Sequence, residues 1–424
     1  MPDLLISGCS EILTLRGSVP RRGKDLKDLG IIRDGAILVR GDRIAAIGPR
    51  RRIERLRDAR RAEKLDLGGR VVLPGFVDSH THLVFAASRA DEYEQCICGA
   101  TRERVARRGG GILASVSALQ KASPKDLKDR ALRALREFAA HGTTTLEAKS
   151  GYGLDWKGEF KILKILHELH QEQPVDISKT FLGAHIIPRE FRKRPDAWVD
   201  LLVERWIPTV GMAGLAEFCD VFCDRGAFTL AQSRRILMAG RACGLVPRIH
   251  AEQHSRTGAA RLAIETQAAS ADHLEKIGRA DVRALSASNV VCTLLPGCAL
   301  HLGLRARAPA RELIGEGAIV ALATDYNPGT SPTMSMTMIL SLACSQLRMT
   351  PAEAITAATI NPAYSLRQHD RIGSLEIGKY ADLAAFDVAG YREIPYYFGV
   401  NLCAVTMKRG VVIHSRSGVH ETAH

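Results

Sequence analysis

The sequence predicts an α/β fold: a (β/α)8 barrel with a small β unit assembled from both chain ends. Three observations carry this expectation. Eight short apolar runs alternate with longer helical stretches between Val71 and Asp325, as repeated βα units around a parallel sheet require. The two chain ends instead hold brief strand-like pieces, and Gly41-Asp42 joins two of these with a strong hairpin signal. The chain, 424 residues with 46% apolar and 25% charged content, has ample material for a large core.

Taken in order, residues 1–68 contain the pieces Leu4 to Ile6, Ala36 to Arg40 and Arg43 to Ile47. Arg50 to Arg70 follows, where nine basic residues face four acidic ones; Glu54, Asp58 and Glu63 interleave with arginines at helical spacing, which predicts a solvated helix laced with ion pairs. The eight barrel runs are Val71 to Asp78, Thr143 to Lys149, Ile177 to His185, Phe218 to Phe222, Val246 to Glu252, Ala268 to His273, Asn289 to Leu295 and Ile319 to Asp325. Helices are expected over Lys125 to Ala140, Lys157 to Glu172, Leu230 to Ala242 and Arg256 to Glu265. The gap from Leu83 to Gly142 exceeds one βα connection and predicts an extra loop and helix over the barrel mouth. Beyond residue 366, strands return around Leu383 to Phe386, Ala404 to Met407 and Val411 to Ile413, so residues 367–424 should complete the β unit begun by 1–68, with 69–366 as the barrel.

Charge and composition narrow the partners. With 59 basic and 46 acidic residues the net charge is +13, which favours anions. Aromatic residues make up only 5% and do not interleave with the basic ones, so a nucleic-acid stacking surface is not expected and small anionic metabolites are. Ten scattered cysteines without a CxxC pair read as reduced thiols, and no apolar run reaches the roughly 20 residues of a membrane span. No membrane partner and a cytoplasmic location are therefore expected.

The sharpest chemical signal is His80-Thr81-His82 at the end of the first barrel run. Residues i and i+2 of a strand face the same way, so both imidazoles should point into the barrel mouth, a geometry that suits a metal. Lys149 ends the second run. Glu252 should point opposite to Gln253 and receives no role.

The stretch Asp66-Leu-Gly-Gly-Arg-Val-Val-Leu-Pro-Gly-Phe-Val-Asp-Ser-His-Thr-His82 resembles the signature of the amidohydrolase superfamily, and Gly373 to Asp387 resembles its C-terminal counterpart. The resemblance implies a distorted (β/α)8 TIM barrel with a small β-sandwich domain built from both chain ends. It implies further ligands on a histidine ending the fifth strand and an aspartate ending the eighth, where His250 and Asp325 stand. The implied set is His80, His82, His250 and Asp325, holding one Zn²⁺ or Fe²⁺/Fe³⁺ per chain and acidifying a water.

Further matches run nearly end to end: Gly109 to Ile112, Glu147-Ala-Lys-Ser-Gly-Tyr-Gly-Leu154, Thr180 to Pro188, Ser270-Ala-Asp-His273 and Ala323-Thr-Asp-Tyr-Asn-Pro-Gly-Thr-Ser-Pro332. They resemble the branch that opens an imidazolone ring bearing a propionate, in histidine degradation. That resemblance implies substrate contacts from Arg89, Tyr152, His185, Gln253, Asn327, Gly329 and Thr330, proton transfer by His273 with Asp325, and a homodimer. Gln253 stands where superfamily deaminases often carry a glutamate; an amide recognises a ring but transfers no proton, which argues against deamination. Rival readings are a heterocycle deaminase, another cyclic amidase, or an inactive binding relative, the last opposed by the complete ligand set. Arg50 to Arg61 and Gln95 to Ala100 depart from the family's pattern and leave substrate scope open.

Overall fold

Strand positions follow the apolar runs closely. The computed structural model describes residues 3–416. The N-terminal strands are β1 (Leu4–Leu13), β2 (Ile31–Arg40), β3 (Arg43–Pro49) and β4 (Glu63–Pro74). The barrel strands are β5 (Phe76–Asp78), β6 (Thr143–Lys149), β7 (Asp176–Ala184), β8 (Phe218–Cys223), β9 (Val246–Ala251), β10 (Ser270–His273), β11 (Val291–Leu294) and β12 (Ile319–Leu322). The last three are β13 (Leu383–Phe386), β14 (Cys403–Lys408) and β15 (Val411–Ser415).

β5 to β12 form one eight-stranded parallel sheet in sequence order. Every residue of β6 and β7 is buried, because helices cover the sheet outside and side chains fill it inside. This is why these strands read as continuous apolar runs. The ladder does not close between β5 and β12. Instead the chain beyond each strand meets: Asp325 N donates to His80 O at 3.0 Å, His82 N to Tyr326 O at 2.8 Å, and Thr324 N to Asp78 Oδ1 at 3.1 Å. The barrel is thus distorted at the seam that carries its histidines and aspartate.

The other seven strands form a mixed sheet in the order β15-β14-β13-β4-β1-β2-β3, drawn from both chain ends. The Gly41-Asp42 hairpin is present, with Arg40 paired to Arg43 and Gly41 at φ +60°. Two features weld this sheet to the barrel. Phe386 of β13 packs on Phe76 of β5 with ring centroids 5.8 Å apart, and each such buried ring is worth about 1.5–3 kcal/mol. Lys408 Nζ of β14 lies 2.6 Å from Asp382 Oδ2 and 2.8 Å from Asp176 Oδ2 at the start of β7.

Three expectations need correction. The run Val71 to Asp78 is two strands: β4 ends at Pro74, which has no N–H for a ladder, and β5 begins at Phe76. At Gly75 a Cβ would lie 2.3 Å from Thr144 Cγ2, so only glycine permits the step into the barrel. Arg50 to Arg70 is not a long helix; one helical turn, Arg50–Ile53, precedes turns and then β4. Its charges pair across to strands, Arg50 with Asp34 at 2.9 Å and Asp58 with Arg40, while Ile53, Ala59 and Ala62 bury against Leu5, Ala36 and Leu38. The helix expected from Arg256 begins only at Ala259, after Gly258 at φ +90°.

Helices Ala90–Ile97, Arg102–Arg107 and Ile112–Lys121 occupy the long insertion before the helix Pro124–Ala140. No disulfide joins any of the ten cysteines. Among the described residues, no helix is long and apolar enough to cross a membrane.

Candidate active site

A cavity of about 580 Å³ opens at the C-terminal mouth of the barrel. Strand geometry brings the chemistry there. His80 and His82 lie just past β5 rather than within it, His250 is in β9, His273 ends β10, and Asp325 follows β12 by three residues. Glu252 (φ +56°), His273 (φ +84°) and Asp325 (φ +53°) all adopt left-handed backbone, which costs about 1–2 kcal/mol apiece for such residues and aims each at strand ends.

The imidazoles of His80 and His250 approach to 4.6 Å between centroids, and His80 and His82 to 5.5 Å. Asp325 Oδ1 lies 3.6 Å from His80 Nε2 and 3.7 Å from His82 Nε2. One donor atom each from His80, His82 and Asp325 falls within a mutual 4.8 Å, and the same holds for His80, His250 and His273. His80 Nδ1 is engaged by Asp272 Oδ2 at 2.8 Å, which leaves Nε2 buried with no hydrogen-bond partner and aimed at this cluster. An orphaned, neutral imidazole nitrogen among carboxylate and imidazole donors fits a divalent ion.

Behind the cluster lies a buried charge layer that the sequence reading did not assign. Lys149 Nζ sits 2.8 Å from both Glu147 Oε1 and Asp220 Oδ2. Asp220 Oδ2 in turn lies 3.2 Å from His250 Nδ1. Arg248 Nη2 stands 3.6 Å from Asp272 Oδ2 and donates to Ser79 O at 2.8 Å. Burial alone would raise the Asp220 carboxyl, but Lys149 and His250 prevail and hold it well below the usual range. The available signal was charge inside apolar strands at even spacing, Glu147 with Lys149 and Arg248 with His250, which places each pair on one inward face. Lys149 therefore neutralises carboxylates that orient the histidines.

Electrostatics set the protonation of the ring groups. Burial, aided by Lys149 for His80 and by His185 for His82, lowers both imidazoles well below their ordinary value. His185 is pushed down to about 3 by burial and the neighbouring His250, and its Nδ1 contacts Gly151 O at 2.9 Å, which assigns the proton to Nδ1. His273 goes the other way: burial opposes its charge, yet Glu275, with Oε1 3.7 Å from Nδ1, raises it.

The wall gathers the remaining expected residues. Arg89, Tyr152, His185, Gln253, Asn327, Gly329 and Thr330 all line the cavity, together with Glu92 and Tyr93 from the insertion helix. Arg89 Nε and Nη2 bond Glu92 Oε2 at 2.9 and 2.7 Å, leaving Nη1 beside Gly329, where a Cβ would be 2.0 Å away. His185 stacks on His82 at 5.2 Å, and Tyr152, its hydroxyl raised by burial, lies 5.4 Å from His185 between centroids. Gln253 Nε2 contacts Cys298 Sγ at 3.6 Å.

Asn327 differs from simple expectation, whereas Glu252 points away from Gln253 and the cavity as expected. Asn327 Oδ1 accepts from Gly329 N and Thr330 N, both at 2.8 Å, and its Nδ2 donates to Asp325 O at 2.6 Å, so this amide is spent within its own turn. Glu252 faces away from the cavity and accepts from Thr257 N at 3.0 Å and Gly258 N at 2.8 Å, capping the helix Ala259–Glu265.

The amidohydrolase family model matches residues 71–413. Curated relatives include the imidazolonepropionase of Geobacillus kaustophilus, 46% identical over 97% of this chain and 98% of its own length. Those of Solibacter usitatus, 46% identical over 98% and 100%, and of Alkaliphilus metalliredigens, 41% over 99% and 100%, are similar end to end. Among solved structures, an adenosine deaminase of Xanthomonas campestris with bound zinc superposes with TM-score 0.73 at 17% identity, covering 100% of this chain and 95% of that one. An atrazine chlorohydrolase of Arthrobacter aurescens complexed with zinc gives 0.70 at 16%, covering 97% and 95%. At such identities these two speak for the fold alone.

Proposed function

Because this chain belongs to the amidohydrolase family, and within it to the imidazolonepropionases, we infer how its pocket divides the labour of opening a cyclic amide. The chain is a histidine-degradation hydrolase acting on cyclic carbon–nitrogen bonds. The reaction is the ring opening of 4-imidazolone-5-propanoate to N-formimidoyl-L-glutamate. Water adds its oxygen to the ring carbonyl carbon, the adjacent C–N bond breaks, and the freed nitrogen gains a proton.

We propose that His80, His82, His250 and Asp325 hold one Zn²⁺ or Fe²⁺/Fe³⁺ per chain; the observation that carries this is the partnerless, buried Nε2 of His80. Such an ion supplies Lewis acidity that acidifies water and polarises a carbonyl. His273, held receptive by Glu275, takes the proton from water and with Asp325 returns it to the departing nitrogen. His185, with its proton fixed on Nδ1 toward Gly151, presents Nε2 as an acceptor for a ring N–H. Gln253 offers an amide to the ring and transfers no proton. The free Nη1 edge of Arg89 receives the propionate, oriented by Glu92 and given room by Gly329, with Thr330 and Tyr152 alongside. Asn327 acts by shaping the turn that presents Gly329 and Thr330.

We propose as well that the protein works as a cytoplasmic homodimer without nucleic-acid or membrane partners, and that 1–68 and 367–424 form one domain beside the 69–366 barrel. The direct test is incubation of purified protein with the imidazolone, following loss of its ultraviolet absorbance and appearance of formimidoylglutamate. Turnover of a heterocyclic amine with ammonia release, in place of imidazolone loss, would overturn the reading.

A further inference from the structure

We propose that His273, Cys298 and Asp325 form a second metal position beside the first, one that captures a soft divalent ion such as excess Zn²⁺ and thereby inhibits the enzyme. One donor atom from each of the three lies within a mutual 4.8 Å, and all three side chains are buried. A tetrahedral ion with bonds of about 2.0–2.3 Å needs donors roughly 3.5 Å apart, so a small inward rotation of the side chains suffices. The set is nitrogen, sulfur and oxygen, softer than the imidazole and carboxylate set of the first position, and suits zinc or cadmium.

The sulfur is held in place from two sides. Cys298 follows β11 on the short helix Pro296–His301, and at the preceding Gly297 a Cβ would lie 2.8 Å from Ser331 Oγ and 3.0 Å from Ile339 Cδ1. The helix start is thus pressed onto the loop beyond Asp325, where Ser331 Oγ donates to Thr324 O at 2.5 Å. From the cavity side, Gln253 Nε2 reaches Cys298 Sγ at 3.6 Å. His273 Nδ1 is buried, makes no hydrogen bond and lies 3.7 Å from Glu275 Oε1. Asp325 has two carboxylate oxygens, and Oδ1 is the one facing His80 and His82.

Binding releases the thiol proton to solvent as the ion takes the sulfur lone pair. Occupation removes His273 from proton transfer while leaving His80, His82 and His250 in place. The inference shares Asp325 with the metal reading above but does not depend on which cyclic amide is opened.

The test loads the full-length protein with one equivalent of zinc and then titrates further zinc, or cobalt as a spectroscopic probe. The expected result is a second bound equivalent by elemental analysis, a sulfur-to-cobalt charge-transfer band, and falling kcat as that equivalent fills. Cys298→Ser should keep the first equivalent, lose the band, and require about 10- to 100-fold more zinc for inhibition, since even groups that only orient a ligand are worth that much. A Cys96→Ser/Cys98→Ser variant, altering the thiols of the mouth helix, should retain band and inhibition. A band that survives Cys298→Ser, or vanishes with the mouth-helix variant, overturns the proposal. Should Cys298→Ser not fold, zinc-edge X-ray absorption of the unmodified protein decides: sulfur scattering that appears with the second equivalent supports the site, and nitrogen and oxygen scattering alone at both loadings refutes it. Loss of the first equivalent in Cys298→Ser would instead count against the four-ligand assignment.

Discussion

Arg89 owes its aim to Glu92 and Gly329. Glu92 occupies the Nε and Nη2 edge, so one guanidinium face remains for a substrate carboxylate. A lysine keeps the charge but cannot bond Glu92 and an anion in that planar arrangement. Arg89→Lys should therefore cost about 1.5–3 kcal/mol in kcat/KM for the propionate substrate, and little for an imidazolone lacking the acid. Equal losses on both substrates would make Arg89 a loop support. His273 is tested separately: His273→Ala should lower kcat by about 10² to 10⁴ while metal content stays near that of the parent. Loss of the ion along with activity would reassign His273 as a ligand or structural support. At this scale the sequence was informative about the reactive side chains and silent about their keepers. His80, His82, His250 and Asp325 stand at strand ends that periodicity locates. Asp220 and Asp272 do their work through contacts 30 and 192 positions apart in the chain, which no local pattern reports.

Among the elements, the turn Ser150–Leu154 shows how a helix can arm a loop. Glu159, in the first turn of the helix Trp156–Glu172, reaches back to accept from Gly151 N at 3.0 Å, Gly153 N at 2.7 Å and Leu154 N at 3.0 Å. That clamp fixes the backbone carrying Tyr152 and the Gly151 carbonyl that sets the His185 tautomer. Glu159→Ala strands three buried amides and should destabilise the fold by about 1–3 kcal/mol per unpaired group at most, with a rise in KM as Tyr152 and His185 lose their setting. Denaturant midpoint and KM together check it; an unchanged midpoint would show that water replaces the carboxylate. The eight barrel strands were legible because burial on both faces leaves uninterrupted apolar runs. The Arg50 to Arg70 segment misled for the complementary reason: on an exposed surface, charge spacing is unconstrained by packing, and the buried Leu65 and Leu67 of β4 carried the strand period instead.

Across the whole molecule, buried histidines govern acid tolerance. His80, His82 and His185 all have folded-state values below the unfolded value of about 6.5. As pH falls through that value the unfolded chain binds protons that the native one refuses, so native stability declines; for His185 the decline continues to about 3. His273, raised, opposes the other three. The metal-free protein should accordingly lose thermal stability steadily below about pH 6.5, and added Zn²⁺ should restore it because the ion binds the native state. A melting temperature flat between about pH 6.5 and 5 in chelator would contradict this. Elemental analysis of the active enzyme should give about one ion per chain.

The interleaving of the two chain ends in one sheet also bears on synthesis. β4 pairs with β13, Val71 opposite Phe386 and Pro74 opposite Leu383, so its partner leaves the ribosome roughly three hundred residues later. At about 5–20 residues per second, the apolar edge of β4 waits on the order of 15–60 s with its hydrogen bonds unmet. Throughout that interval the nascent barrel lacks the sheet that Phe386 and Lys408 fasten to it. The sheet is therefore completed by strands that follow the barrel, and a chain stalled before β13 presents an open β edge to every other nascent chain nearby.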